Sequence, residues 1–130
     1  MFGTMDCIGM SDAPAEKPCD LEDRTLLFAK RVRELVKSLP LSAGNREDGK
    51  QMLRSSGSVG ASYIEANESL GKKDFLMHVK ISRKEAKETR YWLKLIDAGD
   101  NGKLEAQRRD RVQEATELMN IFGAIIRKSE

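Results

Sequence analysis

The sequence predicts an all-α domain, an antiparallel up-down-up-down four-helix bundle. Three observations predict it. Charged residues make up 34% of the 130-residue chain, aromatic residues 5%, and prolines number three, a composition that favours long helices over a sheet. Apolar residues recur at three- and four-residue steps through four segments. The connections between those segments are short, so consecutive helices run antiparallel. A chain of this length closes one apolar core. The expected division is a flexible tail over residues 1–20 and a bundle domain over residues 21–130.

Residues 1–20 mix Met, Gly, Pro and acidic residues without periodicity. The first helix starts at Asp20, whose short carboxylate suits an N-cap, with Glu22 and Asp23 complementing the positive end of the helix dipole. Phe28, Val32, Leu35, Val36 and Leu39 form its apolar stripe, and Arg24, Lys30, Arg31, Arg33, Glu34 and Lys37 fill the polar remainder. Pro40 ends it, because the proline ring disfavours the α region for the residue before. Residues 40–48, PLSAGNRED, read as a loop.

The second helix is expected from Gly49 to Leu70, with Met52, Ser56, Val59, Tyr63, Ala66 and Leu70 on one face and Leu53, Gly57, Gly60 and Ile64 on the next. Each interior glycine costs about 0.8–1 kcal/mol relative to alanine. Close approach of a neighbouring helix at Gly57 and Gly60 would offset that cost; the alternative is a weak or kinked helix. Gly71 breaks the run and N-caps the third helix, with Asp74 placed as the acidic half of a capping box.

The third helix, Lys72 to Ala98, is the most regular segment. Phe75, Val79, Ser82, Ala86, Thr89, Leu93 and Ile96 step by four and three, with small residues in the middle to match the small helix before. After GDNG, a turn cluster, the fourth helix is expected from Leu104 to Lys128. Its seam is Val112, Ala115, Met119, Phe122 and Ile126, flanked by Leu118, Ile121 and Ile125. Gly123 again suggests close packing, and Arg127 and Lys128 suit a helix C-terminus.

Several function classes are disfavoured. The net charge of +2 is no polyanion signal by itself, although residues 72–98 hold eight Lys/Arg against four acids. SSGSVG has no following Lys-Ser/Thr and no preceding buried strand, so it is not a phosphate-binding loop. Ser55, Ser56 and Ser58 have no suggestively placed histidine, which argues against a nucleophilic serine. Glu65, Glu85, Glu88 and the lone His78 lack the Glu-x-x-His pairing of a di-metal bundle. Neither catalytic residues nor a cofactor nor a metal are therefore expected. Cys7 and Cys19 are too few to read as a disulfide scaffold, and no structural disulfide is expected. No apolar run reaches membrane-spanning length, and MFGTMDCIGMSD lacks the pattern of a signal peptide, so the expectation is a soluble cytoplasmic protein.

Two further faces of the third helix carry the candidate sites. Ile81, Glu85, Glu88, Trp92 and Leu95 form a stripe off the main seam, a candidate oligomer interface whose acids would pair with a neighbour's Arg or Lys. The bland alternative is that Trp92 widens the subunit's own core. Lys80, Arg83, Lys87, Arg90 and Lys94 form the other stripe, a candidate nucleic-acid surface. Its bland alternative is a solvated face with local pairs, Lys84 with Glu88 and Lys94 with Asp97.

The run from Arg54 to Ile96, above all the small residues leading into YIEANES and the block SRKEAKETRYWL, resembles the four helix bundle protein family. EATELMNIFGAIIRKS, Glu114 to Ser129, is similar to that family's closing helix. The family includes proteins encoded in intervening sequences of bacterial large-subunit ribosomal RNA genes and the accessory variability protein of diversity-generating retroelements. The resemblance covers about residues 20–129 and implies an antiparallel bundle assembling into a homopentameric ring or barrel, with no known enzymatic activity. For the retroelement branch it implies binding to nucleic acid and to a reverse transcriptase. That protein is strongly basic, whereas this chain is nearly neutral.

The expected function is thus a non-enzymatic, homo-oligomeric scaffold or adaptor that binds RNA or DNA through the basic face of the third helix. The alternative is a purely protein-interaction assembly without nucleic-acid binding.

Overall fold

Asp20 opens the first helix as its sequence requires: its Oδ1 accepts from the amides of Glu22 at 2.8 Å and Asp23 at 3.1 Å. The computed structural model describes residues 18–130, in which four helices and no strands form: α1 (Leu21–Ser38), α2 (Ala43–Asn67), α3 (Lys72–Leu95) and α4 (Gly102–Ser129). The flexible-tail reading falls mostly on residues 1–17, outside the described residues. Among the described residues no helix is long and apolar enough to cross a membrane.

The helix ends depart from expectation where a side chain acts locally. The stretch NRED, read as loop, is helical. Ser42 caps α2 by accepting from the Asn45 amide at 3.0 Å, so the helix begins at Ala43 rather than Gly49. Asn45 is itself buried and fastens three strands of chain. Its Nδ2 donates to the carbonyls of Pro40 at 3.0 Å and Asp97 at 2.8 Å, and its Oδ1 accepts from the Asp97 amide at 3.0 Å. That clamp holds Asp97 in a non-helical position, and α3 stops at Leu95 rather than Ala98. Asp97 Oδ1 then accepts from the Gly99 amide at 2.9 Å, and Gly99 takes φ +67°, which only glycine adopts at little cost. Asn101, the last residue of the turn cluster but one, caps α4 through the amides of Lys103 and Leu104. At the other end of the molecule α2 finishes at Asn67, leaving Leu70 wholly exposed instead of on the core face. Gly71 precedes α3 with no side-chain cap; Asp74 lies 3.5 Å from His78 Nε2 instead of closing a capping box.

Each helix packs against its neighbours in sequence and α4 returns to pack on α1; the diagonal pairs make no backbone contact. The core lies inside this ring. Phe28, Val32 and Leu35 of α1, Met52, Val59 and Tyr63 of α2, Phe75, Val79 and Leu93 of α3, and Leu118 and Phe122 of α4 are all at most 1% exposed. Every member of the expected α3 seam, from Phe75 to Ile96, is buried. The α2–α3 contact is the most extensive, and small polar residues make it so. Ser82 Oγ donates to the Val59 carbonyl at 3.0 Å, which requires the α2 backbone to lie close to α3. Thr89 Oγ1 donates to the Glu85 carbonyl at 2.8 Å, leaving the Ser55 hydroxyl to donate to Thr89 at 2.7 Å. These buried hydroxyls are satisfied, so they carry no desolvation penalty into the core.

The glycines separate into three cases. A Cβ at Gly60 would lie 2.9 Å from Thr25 Oγ1, so α1 crosses α2 there at a distance that only glycine permits. Gly49, not singled out by sequence, sits in the same interface, with Val36 Cγ1 3.1 Å from its would-be Cβ. At Gly57 nothing lies within 4 Å, so close approach does not account for that residue. At Gly123 the nearest atoms belong to arginine side chains, not to a neighbouring helix backbone.

Two residues contradict their sequence reading outright. Arg24, assigned to the polar remainder of the first helix, is 6% exposed. Its Nε and Nη2 bind Glu114 at 2.7 and 2.8 Å, and Nη2 also binds Glu117 at 2.7 Å, joining α1 to α4. The hydrogen bonds that Arg24 donates to Glu114 raise its pKa further above its already high value. Cys19, read as outside any structural disulfide, is disulfide-bonded. Spacing alone could not reveal this, since a bridge depends on where two sulfurs meet in space.

Candidate nucleic-acid interface

α3 presents three chemistries because its apolar, mixed and basic residues each repeat at helical spacing, about 100° apart. With the seam facing the core, the other two stripes fall in the grooves that α3 makes with α2 and with α4.

The basic stripe borders α4. Lys80, Arg83, Lys87 and Lys94 are exposed, while Arg90 is half-buried and donates from Nη1 to Thr116 Oγ1 of α4 at 3.1 Å. Lys80 lies 3.8 Å from a Glu130 carboxylate oxygen. Arg83, Lys87, Arg90 and Lys94 take part in none of the ion pairs among the described residues. The local pairs that would make this a balanced solvated face do not form. Glu88 is engaged by Arg54, and Asp97 Oδ1 accepts the Gly99 amide.

α4 adds a cation, Arg127, which its sequence position marks only as a helix-end charge. Arg83, Lys87, Met119, Asn120, Gly123 and Arg127 line a groove of about 310 Å³ between the two helices. Over its glycine floor two guanidinium groups converge: Nη1 of Arg127 and of Arg83 lie 3.4 and 3.7 Å from the position a Gly123 Cβ would take. A signal for this existed. Thr116, Asn120, Gly123 and Arg127 are spaced by four, three and four, which places them on the single face of α4 that meets the α3 basic stripe.

The mixed stripe borders α2. Glu85 is 8% exposed, Ile81, Glu88 and Trp92 are half-buried, and Leu95 is 51% exposed. Its two acids are answered within the chain. Arg54 of α2 reaches Glu85 at 3.5 Å and also Glu88, and Glu88 accepts from Trp92 Nε1 at 3.2 Å. Half-exposed ion pairs of this kind add roughly 0–1 kcal/mol, so their main effect is to orient the indole. Trp92 packs its inner edge on the core, and Tyr91 meets it edge-on with centroids 5.0 Å apart. Tyr91 and Leu95 leave about half of their surface to solvent beside it.

The sequence model of the 23S rRNA-intervening sequence protein family matches residues 19–123. Among solved structures, a crystal structure of a protein of unknown function from the S23 ribosomal protein family of Bacteroides thetaiotaomicron is 31% identical, with a TM-score of 0.67. The similarity covers 81% of this chain and 96% of that one. No curated protein matches the chain. With the family match covering α1 to α3 and most of α4, and a neighbour of the same fold, the chain belongs to the 23S rRNA-intervening sequence protein family.

Proposed function

We propose that the protein is a non-enzymatic, homo-oligomeric scaffold that binds nucleic acid through the basic face of α3. The observation that carries this reading is the run Arg83, Lys87, Arg90 and Lys94 without carboxylate partners among the described residues, extended across the groove by Arg127. Like charges four residues apart on a helix are mildly unfavourable unless something supplies the counter-charge. A phosphate backbone supplies it at regular spacing.

The subunit itself is proposed as an antiparallel up-down-up-down bundle, supported by the short connections and the cyclic order of helix contacts. Assembly is proposed through Ile81, Trp92 and Leu95, with five subunits as the family resemblance implies. A ring would repeat the basic face and turn a modest subunit charge into a continuous belt.

Nucleic-acid binding is tested by fluorescence anisotropy with a labelled 20-nucleotide single-stranded RNA between 50 and 200 mM KCl. The logarithm of the association constant is expected to fall with the logarithm of salt by about 0.7 for each phosphate neutralised, giving a slope of about −2 to −4. Failure to bind at 50 mM salt would leave the protein-only assembly as the function. Assembly is tested separately by light scattering. The wild type is expected at a multiple of the 14.6 kDa subunit, and Trp92→Ala at the subunit mass. A variant that retains the wild-type mass removes the Trp92 face as the interface.

A further inference from the structure

The groove between α3 and α4 has a feature that a diffuse basic face does not require. Two guanidinium groups from different helices are aimed at one point, the surface above Gly123, where their Nη1 atoms stand 3.4 and 3.7 Å from the same Cβ position. Lys87 and the Asn120 amide line the same groove, and no carboxylate does. Neither arginine has an ion-pair partner among the described residues. The carbonyls at the end of α4 partly offset the charge of Arg127, which lies in its last turn. No such compensation reaches Arg83, in the middle of α3.

We infer that Arg83, Lys87, Asn120 and Arg127 form a discrete site for one phosphate group, floored by Gly123. Guanidinium forks bind tetrahedral oxyanions through paired N–H donors, and two forks with an ammonium and an amide supply donors from several sides. Gly123 is the enabling residue, since any side chain there would project between the two arginines and fill the place of the anion. At about 310 Å³ the groove is at the small end of ligand sites, which span about 300–1,000 Å³. It admits a phosphate with its ester substituents. The site deepens the nucleic-acid reading and rests on it for the source of the phosphate, a backbone phosphodiester rather than free phosphate.

Two variants and two probes test it on the full chain. Arg127→Gln removes one fork at an exposed position. Gly123→Asp places a carboxylate between the forks, where its Cβ meets only flexible guanidinium ends at ordinary contact distance. Circular dichroism establishes that each variant is folded, and Arg127→Gln alone carries the test if Gly123→Asp is not. Both variants are expected to bind the 20-nucleotide RNA about tenfold more weakly at 100 mM KCl, with a salt slope shallower by about 0.7. Inorganic phosphate added to the wild type is expected to shift the side-chain Nε–Hε NMR signals of Arg83 and Arg127, and not those of other arginines.

The outcomes separate the two ideas. RNA that binds the wild type and both variants equally overturns the phosphate site while the broader nucleic-acid reading stands. Phosphate-induced shifts at Arg83 and Arg127 without any RNA binding uphold the site for free phosphate and overturn the nucleic-acid reading. Absence of both effects overturns both.

Discussion

Arg24→Ala is expected to destabilise the protein by about 3–5 kcal/mol, the cost of breaking a buried ion pair by removing one partner. The side chains of Arg24 and Glu114 are 7% and 12% exposed, and their two parallel N–H···O bonds form the fork geometry that arginine offers and lysine does not. Truncation at Arg24 removes two hydrogen bonds from Glu114 and one from Glu117 at the α1–α4 contact, the smallest of the four helix contacts and therefore the one with the least other packing to hold it. Urea unfolding followed by far-UV circular dichroism measures the loss. The double variant Arg24→Met, Glu114→Leu separates charge burial from packing, because replacing both partners by apolar groups is far less costly than removing one. The double variant is expected to be more stable than Arg24→Ala. A single-variant loss below about 1 kcal/mol would show that Glu114 stays compensated without Arg24 and that the pair contributes no more than a surface one.

Phe122→Ala is expected to cost a similar amount, about 3–5 kcal/mol. Phe122 is fully buried, and its ring meets that of Tyr63 with centroids 5.8 Å apart and planes inclined at 47°. α2 and α4 lie diagonally and share no backbone contact, so this aromatic contact spans the middle of the core. Such pairs contribute about 0.5–1.5 kcal/mol beyond the area they bury. Tyr63 is itself fully buried, and the same burial pushes its pKa up to about 12. Phe122→Leu, which keeps most of the volume, is expected to cost less than about 1.5 kcal/mol. The two variants measured by the same urea titration should therefore differ by at least about 1.5 kcal/mol, and equal losses would mean that the cavity collapses.

The sites were legible to different depths. The basic stripe of α3 was readable from spacing alone, because five cations at helical intervals fall on one side whatever surrounds them. Its unpaired state was not, because Glu88 had an apparent partner in Lys84 along the helix but is taken by Arg54 from α2. The mixed stripe shows the same limit. Glu85 and Glu88 read as charges awaiting a neighbouring subunit, and the chain itself answers them. Arg24 was missed because residue type was weighed above position. It lies one turn before Phe28, on the edge of the buried stripe, where only a partner on another helix makes an arginine acceptable.

The sequence by itself determined four helices, the α1 cap at Asp20, and the complete α3 seam from Phe75 to Ile96. These follow from interactions within a few residues, or from the apolar periodicity of one helix, and both are written locally. Only the tertiary structure decided that Asn45 ties Pro40 to Asp97, that Arg24 joins α1 to α4, and that Arg83 and Arg127 converge over Gly123. In each case two residues far apart in the chain meet because packing sets the distance and rotation between helices. A helix's own periodicity says which side it buries, and carries no information about which side chain will stand opposite.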